Sequence, residues 1–480
     1  MSSLANDIAN LSPQQRAVLE LRLKAKREGA AHAQTSTQGG GTAAGNKSDE
    51  ENRLLAQSSD SVDGLLASFY KKFPWPWQPM KFDYLTDRDF GHNMLNQDLG
   101  DFTHRAVPRD AKIWVAGCGT NQALHTALKY PHATVIGSDL SSKSLELCAK
   151  NARELGVTNL EVREESLNHV PYAEQFDYVM STGVIHHNAD PQATLEKLVG
   201  ALKPDGVMEL MVYNRYQRIT TSAFQKAVRV FGEQRGGPVD FDADFRTAKK
   251  IAGGLPKGGM LEQAFVHTQY MEWSDSDFAD LFIHPVEHSY TVESLEDLAE
   301  SCGLEYVAPC VSLYAKSVST AFSWNMEFGD PDLQAAYDAL PDSRRWQVTN
   351  LLMFDKSPLL WFYLRRKGGA SPRKTEREIN EEFLDAAFAK NSTTQHSFIR
   401  DGDEHYQPSS ASVPYPLAPP SASVRPLFEQ VDGVTRMRDI FARLGIDTTF
   451  QAVSHARLQL TTSAFPYLVA VEPEQHEQIN

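Results

Sequence analysis

Cysteine is scarce in this sequence of 480 residues: it has four cysteines, and no two of them form a CxxC pair. A zinc-binding framework and a disulfide-stapled secreted domain both require paired cysteines, so neither is indicated. The cysteines are Cys118, Cys148, Cys302 and Cys310. This usage is typical of a reducing compartment, and we expect a cytoplasmic protein.

Long apolar runs and an excess of positive charge are also missing. No apolar stretch reaches the length of a membrane span, and the first ten residues lack the basic and apolar regions of a secretory signal. Lysine and arginine number 47 against 62 aspartates and glutamates, which gives a net charge of −15. Because phosphate backbones repel such a chain, we expect neither a nucleic acid nor a membrane as a partner.

The length indicates several domains, since one hydrophobic core rarely serves so many residues. Shifts in composition predict the following divisions: a short helix plus flexible linker over 1–60, an aromatic cap over 61–110, a strand-and-helix domain over 111–370 with a helical insertion at 214–288, a helical extension over 371–408, a linker over 409–424, and a small helical or winged-helix-like module over 425–480.

Strands and helices alternate from Lys112 to Tyr213, which predicts an α/β fold with a doubly wound parallel sheet. In such a sheet, ligands bind beyond the carboxyl ends of the strands. Gly117 and Gly119 follow the first strand and would let the backbone approach a ligand closely. Asp139 ends the second strand, where a carboxylate can accept both hydroxyls of a ribose. The pattern also fits a tight turn with a helix-capping aspartate.

The turn after the first strand lacks the third glycine of the dinucleotide pattern, because Gln122 occupies that position. This disfavours a pyrophosphate seated on the helix N-terminus. We therefore expect an enzyme that binds a single nucleoside. There are two alternatives, and a nicotinamide oxidoreductase is the weaker one. The other alternative is a non-catalytic binding or scaffold module with the same fold.

Four motifs in order resemble those of class I S-adenosylmethionine-dependent methyltransferases. They are the glycine turn at 116–123, Asp139, the segment 181–187 and the segment 202–206. An aromatic and proline-rich segment at Phe73–Trp77, together with 206–213, 281–285 and 395–399, is similar to one poorly characterised bacterial subfamily. The resemblance implies a Rossmann-like methyltransferase sheet with a helical lid insertion and a small C-terminal accessory region, and S-adenosylmethionine as the cofactor.

The resemblance also implies a cofactor site, which runs from the methionine part through the ribose and adenine to the sulfonium. Gly117 and Gly119 would face the methionine part, and Asp139 would hold the ribose. Leu140, Ser166 and Leu167 would lie at the adenine, Thr182 and Gly183 would line the sulfonium, and Asn121 and Gln122 complete the site. Two positions depart from the family pattern, because Val115 replaces a common acidic residue and Asn121 replaces a common glycine. Asn121 or Gln122 would then bind the amino group of methionine.

Two histidines, His186 and His187, follow the fourth strand, where substrate and cofactor would meet. A histidine there can take a proton from a hydroxyl near neutral pH, so we predict a catalytic role. Packing and turn capping are the alternatives. The predicted substrate-binding residues are Tyr213, Arg215, Tyr270 and Trp273. The segment His284–His288 offers two histidines but no assured third ligand, and we assign no metal.

We therefore expect methyl transfer to a hydroxyl or amine of a small molecule or natural-product intermediate. The segment 11–23 resembles a linker helix found beside condensation domains of nonribosomal peptide synthetases. The helix expected over Ser12–Glu28 carries five basic and two acidic residues, a local charge of +3. Because this sign opposes that of the whole chain, an acidic carrier protein of a peptide or polyketide assembly line is a candidate partner. A solvated terminus is the alternative.

Overall fold

The computed structural model describes residues 59–74, 79, 81–235, 239–268, 273–311, 322–369, 373–400 and 405–471. The chain divides into two units, residues 1–53 and 54–480, and the described residues all belong to the second. The predicted N-terminal helix, most of its linker, residues 75–78 of the aromatic and proline-rich segment, and Tyr270 lie outside the described residues.

The strands of the described residues are, in chain order, β1 (Lys81–Leu85), β2 (Lys112–Ala116), β3 (Thr134–Asp139), β4 (Leu160–Glu164), β5 (Phe176–Thr182), β6 (Leu202–Val212), β7 (Leu304–Pro309), β8 (Leu360–Arg366), β9 (Phe388–Lys390), β10 (Thr394–Ile399), β11 (Gln407–Pro414), β12 (Thr461–Thr462), β13 (Phe465–Pro466) and β14 (Leu468–Ala470).

The α-helices of the same residues are α1 (Ser59–Lys72), α2 (Phe90–Asp98), α3 (Gln122–Lys129), α4 (Ser142–Glu154), α5 (Pro191–Ala201), α6 (Ile219–Arg235), α7 (Phe241–Gly253), α8 (Met260–Thr268), α9 (Asp275–Phe282), α10 (Val292–Ser301), α11 (Pro331–Asp338), α12 (Asp342–Leu352), α13 (Glu376–Asp385), α14 (Arg425–Gln430), α15 (Met437–Leu444) and α16 (Phe450–Leu460).

Seven strands form the central sheet, in the order β4-β3-β2-β5-β6-β8-β7. The pairs from β4 to β6 are parallel, whereas β8 runs antiparallel to both β6 and β7. This confirms the predicted doubly wound sheet. Because β2 to β6 run in one direction, the segments that follow them emerge at the same edge of the sheet.

Side chains on both faces of the sheet are buried, as expected for parallel strands covered by helices. Along β2, Ile113 and Val115 face one hydrophobic cluster, whereas Trp114 and Ala116 face the other. Trp114 is fully buried, and its indole nitrogen donates a hydrogen bond to Ser138 Oγ at 2.8 Å. The sheet is therefore a rigid platform for the loops at its edge.

The helices α6 to α9 follow β6 and form the predicted helical insertion. They pack with α1 through a phenylalanine-rich cluster that includes Phe69, Phe224 and Phe278. The ring of Phe69 lies 5.2 Å from that of Phe241 and 5.1 Å from that of His284. As a result, α1 and the insertion form one wall above the sheet edge.

A second, antiparallel sheet contains β1, β10 and β11. The predicted linker over 409–424 is therefore wrong in its first part, because residues 407–414 form β11. Nearly all of β11 is exposed, so its backbone pairing with β10 forms a strand without an alternating apolar pattern. The predicted helical extension over 371–408 is helical only in α13, and β9 and β10 follow it.

The C-terminal region consists of α14, α15 and α16 with short strands. Its core contains Ile440, Phe441 and Leu460, which pack with Phe383 of α13 and with Phe388. The strand β14 pairs with β9, so the end of the described chain returns to the residues after α13. Among the described residues, no helix combines the length and apolar character needed to cross a membrane.

Candidate functional site

The glycine turn after β2 joins the ends of three central strands. Gly117 and Gly119 have φ angles of 76° and 52°, a left-handed region that glycine adopts without strain. The N–H of Gly117 donates to the carbonyl of Ser138 at 2.8 Å. A Cβ atom on residue 117 would lie 2.6 Å from the side chain of Val184, so the turn contacts the segment after β5 directly.

Asp139 at the end of β3 is held by backbone donors on both carboxylate oxygens. Oδ2 accepts from the N–H of Gly119 at 2.8 Å, and Oδ1 accepts from the N–H of Ser141 at 2.9 Å. Desolvation raises the pKa of this carboxyl above its ordinary value, and the backbone hydrogen bonds oppose that shift. Because a carboxylate can accept about four hydrogen bonds, capacity remains for the hydroxyls of a ribose.

Asn121 and Gln122 begin α3 but point to different neighbours. The Oδ1 atom of Asn121 accepts from Asn151 Nδ2 at 3.0 Å, and its own Nδ2 is buried without a partner among the described residues. Gln122 Nε2 donates to Thr182 Oγ1. Gln122 therefore links the glycine turn to the end of β5, whereas Asn121 is fixed below the turn by α4.

Ser166, after β4, contacts a residue that the sequence did not reveal. Its hydroxyl donates to Asp63 Oδ2, and Asn168 Nδ2 donates to Asp63 Oδ1 at 3.1 Å. Asp63 belongs to α1 and is separated from Ser166 by 103 positions in the chain. The N-terminal helix thus reaches the same edge of the sheet as the predicted adenine site.

Leu140 and Leu167 were both predicted at the adenine, and the structure places their side chains differently. Leu140 is partly buried and packs against the cluster that contains Val62 and Leu66 of α1. Leu167 is buried in the core beneath the sheet edge, in the cluster that contains Trp114. An apolar surface at the predicted adenine position would therefore come from the side chain of Leu140 and not from that of Leu167.

Gly183 and the turn of 3-10 helix over 185–187 place His186 beside Tyr213. Gly183 has a φ of 81°, and its N–H donates to the carbonyl of Met211 at 3.1 Å. His186 is fully buried, and its ring centroid lies 4.0 Å from that of Tyr213. Neither ring nitrogen of His186 has a hydrogen-bond partner among the described residues. Such unsatisfied buried groups are rare and often occur at functional sites.

His187 and His284 share one hydrogen-bond acceptor. Their Nδ1 atoms lie 2.7 Å and 2.6 Å from the carbonyl oxygen of Val286, so each Nδ1 carries the proton and donates. The Nε2 atom of His284 then accepts from the hydroxyl of Tyr70 at 3.1 Å. Burial lowers the pKa of His187 to about 4 and the pKa of His284 well below 6.5, so both rings are neutral at pH 7.

A buried ion pair stands beside these histidines. Arg218 Nε donates to Glu287 Oε1 at 3.0 Å and Nη2 donates to Oε2 at 2.5 Å, a bidentate arrangement. The guanidinium of Arg218 lies 4.0 Å from the ring centroid of Tyr213. Near them, Asp280 is buried, and desolvation raises its pKa to about 7, against the opposing charge of Arg218.

Two other predicted substrate residues, Arg215 and Trp273, have exposed side chains. Arg215 is exposed, and its guanidinium donates to the carbonyl of Ser289 at 2.9 Å. Trp273 has 40% of its surface exposed, and Tyr270 lies outside the described residues. Of the three predicted substrate residues that the structure describes, only Tyr213 is placed among the buried histidines, and the arginine there is Arg218.

The histidines of the segment 284–288 bond to protein groups. His284 contacts Val286 and Tyr70, and His288 Nε2 lies 3.1 Å from the carbonyl of Asn188. In the part of the chain that the structure describes, no three or more histidine, cysteine or acidic side chains are arranged to hold a metal ion.

Comparisons with known proteins agree with this geometry. A family model described as a methyltransferase domain matches residues 112–231. An uncharacterized protein of Synechococcus sp. is 26% identical over 309 residues, which are 62% of this chain and 71% of that protein. A ubiquinone biosynthesis O-methyltransferase of Haemophilus ducreyi is 34% identical over 109 residues, and the match spans 22% of this chain and 46% of that enzyme.

Among solved structures, PKMT2 from Rickettsia typhi in complex with AdoHcy has the same fold. The TM-score is 0.51 with 15% sequence identity, and the match covers 81% of this chain and 78% of that one. At this identity the similarity concerns the fold.

The residues at the sheet edge fit S-adenosylmethionine. The carboxylate of Asp139 has acceptor capacity for a diol, and the adjacent turn carries Gly119, which has no side chain, beside it. Gly183 would bring a Cβ atom within 3.6 Å of only the terminal methyl of Met211, so there is open space at the end of β5. With the sheet order and the family model that matches residues 112–231, these residues show that the chain contains a methyltransferase domain with the class I fold, and they fit S-adenosylmethionine as its cofactor.

Proposed function

We propose that this enzyme transfers the methyl group to a hydroxyl of a small molecule that binds against His186, His187 and Tyr213. The observation that carries the proposal is the fully buried ring of His186, whose two nitrogens have no partner among the described residues. A bound acceptor would offer one of these nitrogens the hydrogen-bond donor that the protein does not supply.

The protonation state of the site favours a hydroxyl over an amine. Burial lowers the pKa of His186 and His187, so at pH 7 both rings are neutral and can accept a hydrogen bond. An aliphatic amine would arrive as an ammonium ion and would bring a positive charge close to Arg218. The name of the Haemophilus relative, an O-methyltransferase, also supports a hydroxyl.

The cofactor supplies an electrophilic methyl group, and the chain has to align the acceptor and accept its proton. Alignment can account for most of the rate enhancement of such a displacement. His186 and His187 would orient the hydroxyl. Asp280 is a buried carboxyl whose pKa of about 7 suits proton acceptance near neutral pH, and its neighbour Tyr70 contacts His284.

We further propose that the acceptor is a natural-product intermediate delivered by an acidic carrier protein. The support is the local charge of +3 over residues 12–28, against −15 for the whole chain. A tethered basic segment would raise the local concentration of a carrier-bound acceptor. A free small-molecule acceptor remains the simpler form of the proposal.

The test uses S-adenosylmethionine with a deuterated methyl group and matched acceptors that differ only in one group, such as phenols and the corresponding anilines. Mass spectrometry of the products locates the label. Labelled methyl ethers from the phenols, lost in the His186→Phe variant, support the proposal. Label only on nitrogen would overturn the choice of a hydroxyl, and label on RNA or protein would overturn the small-molecule acceptor.

A further inference from the structure

Asp63 is a buried acidic residue that has no role in the site as described so far. It lies on α1, and only 8% of its surface is exposed. Its carboxylate accepts hydrogen bonds from the hydroxyl of Ser166 and from Asn168 Nδ2. Among the described residues, no lysine, arginine or histidine forms an ion pair with Asp63.

Burial of a carboxylate without a cation is costly unless hydrogen-bond donors surround it. Ser166 has one hydroxyl hydrogen, and the amide of Asn168 lies 3.1 Å from Oδ1 and 3.3 Å from Oδ2. Because a carboxylate can accept about four hydrogen bonds, these two neutral side chains leave acceptor capacity unused. The site therefore has capacity for a further hydrogen-bond donor.

The order of the strands determines which part of the cofactor lies near Asp63. Four strands lie side by side in the order β5, β2, β3 and β4. At their carboxyl ends they carry, in the same order, Gly183, Gly117, Asp139 and Ser166. A ribose at Asp139, with the sulfonium towards Gly183, leaves the base on the side of β4. The apolar side chain of Leu140, packed against α1, is at that same position.

We propose that Asp63 accepts a hydrogen bond from the exocyclic amino group of the cofactor's adenine. In this arrangement α1 covers the base, and its Asp63 side chain distinguishes adenine from a base without the amino group. Ser166 and Asn168 hold the carboxylate in place. Asp63 is thus a specificity-determining residue for the cofactor. The inference concerns the cofactor alone and does not depend on the identity of the methyl acceptor.

The amino group is what separates adenine from hypoxanthine, which has an oxygen at the same ring position. Asp63 would meet a donor in the first case and another acceptor in the second. A site built around a buried hydrogen bond rejects a ligand that leaves it unpaired, here by about 10-fold to 100-fold or more. An amide in place of the carboxylate can donate to the oxygen of hypoxanthine.

The experiment is calorimetric titration of the full chain with S-adenosylhomocysteine and with S-inosylhomocysteine. The wild type should bind the adenosine compound at least about tenfold more tightly. Asp63→Asn should reduce this ratio by about tenfold or more, because it weakens the first ligand and improves the second. Asp139→Asn is the matched control: it should weaken both ligands and leave their ratio unchanged.

Two outcomes would overturn the proposal. One is a wild type that binds both ligands equally, which needs no variant and so does not depend on whether Asp63→Asn folds. The other is an Asp63→Asn protein with a lower melting temperature and an unchanged ratio, which would mean that Asp63 only docks α1 onto the loop after β4. Ser166→Ala should lower the ratio to a smaller extent, since it frees the carboxylate without removing it.

Discussion

The hydroxyl of Tyr70 lies 3.1 Å from Nε2 of His284, although 214 positions separate the two residues in the chain. Tyr70 belongs to α1, and His284 follows α9 of the insertion. Burial raises the pKa of Tyr70 well above its ordinary value, so the phenol stays neutral and can donate. The contact therefore joins the helix that covers the predicted cofactor position to the histidines of the proposed acceptor site.

Tyr70→Phe should impair acceptor binding more than cofactor binding. The variant removes one neutral hydrogen bond, worth about 1 kcal/mol, so we expect a several-fold to tenfold loss in kcat/KM for the acceptor. The dissociation constant of S-adenosylhomocysteine should change less than about twofold. Tyr84→Phe, on β1 of the second sheet, is the control and should change neither quantity. A large loss of cofactor affinity in Tyr70→Phe would contradict the separate roles.

Asp139→Ala should weaken cofactor binding by about 2–3 kcal/mol, because it removes a carboxylate positioned to bond two ribose hydroxyls. Calorimetry with S-adenosylhomocysteine measures the change. Asp177→Ala is a suitable control, since Asp177 accepts from the N–H of Lys112 at the opposite edge of the same sheet. Asp177→Ala should alter the melting temperature but not the affinity for S-adenosylhomocysteine. An unchanged affinity in Asp139→Ala would mean that Asp139 does not bind the cofactor.

Substitution of His186 or His187 should lower turnover more than cofactor affinity. Phenylalanine keeps the buried aromatic volume of His186 but offers no nitrogen to the acceptor, and a proton-transfer role would be worth roughly a hundredfold. For His187, the change also removes the hydrogen bond to the carbonyl of Val286. Single-turnover rates with a known acceptor measure the effect. Near-wild-type rates in both variants would mean that neither histidine orients the acceptor or accepts its proton.

Asp280 predicts a specific pH dependence. Its pKa is raised to about 7 by desolvation and by Glu287 and Asp277, whereas the charge of Arg218 opposes the shift. If Asp280 accepts the proton, kcat/KM should rise as the pH increases through about 7. Asp280→Asn should lose this rise. A rise that persists in the variant would assign the titration to another group.

Ionisation of the buried Asp280 carboxyl should destabilise the folded protein at high pH. Its pKa is about 7 in the folded chain against an ordinary value of 3.8, so the folded state is penalised increasingly as the pH rises from about 4 through 7. Asp280→Asn removes this penalty. We expect the variant to melt several degrees higher than the wild type at pH 8 and at the same temperature at pH 4, as measured by calorimetry.

Removal of residues 1–53 should leave the folded unit intact. These residues form a unit separate from 54–480. A cut near Ser61 would instead divide α1, where Val62 and Asp63 are buried. The chain that begins at Leu54 should keep its melting temperature and its cofactor affinity. It should lose activity on a carrier-bound acceptor but not on the free one, and equal activity on both would contradict the recruitment role.

The residues that the sequence revealed are those fixed by local geometry. Gly117, Gly119 and Asp139 lie at the ends of adjacent strands of an alternating pattern, so spacing alone places them together. The doubly wound parallel sheet could be predicted for the same reason. His186 and His187 could be placed at the strand end but not assigned partners.

The residues that the sequence did not reveal act across long separations. Asp63 contacts a residue 103 positions away, and Arg218 pairs with Glu287 across 69 positions. No spacing rule relates such pairs, because the packing of α1 and the insertion brings them together. The one available signal was Glu287 itself, which stands between two histidines. Arg215, the predicted arginine, is exposed, whereas Arg218 is buried beside Tyr213.

The contact between Gly117 and Val184 has a consequence for how this enzyme can change over time. Any side chain at position 117 would collide with Val184 and would also have to adopt a φ of 76°. A smaller residue at 184 relieves the collision but not the backbone strain, so no single partner mutation rescues the position. Selection for new acceptors should therefore leave Gly117 unchanged and accumulate substitutions in α6 to α9.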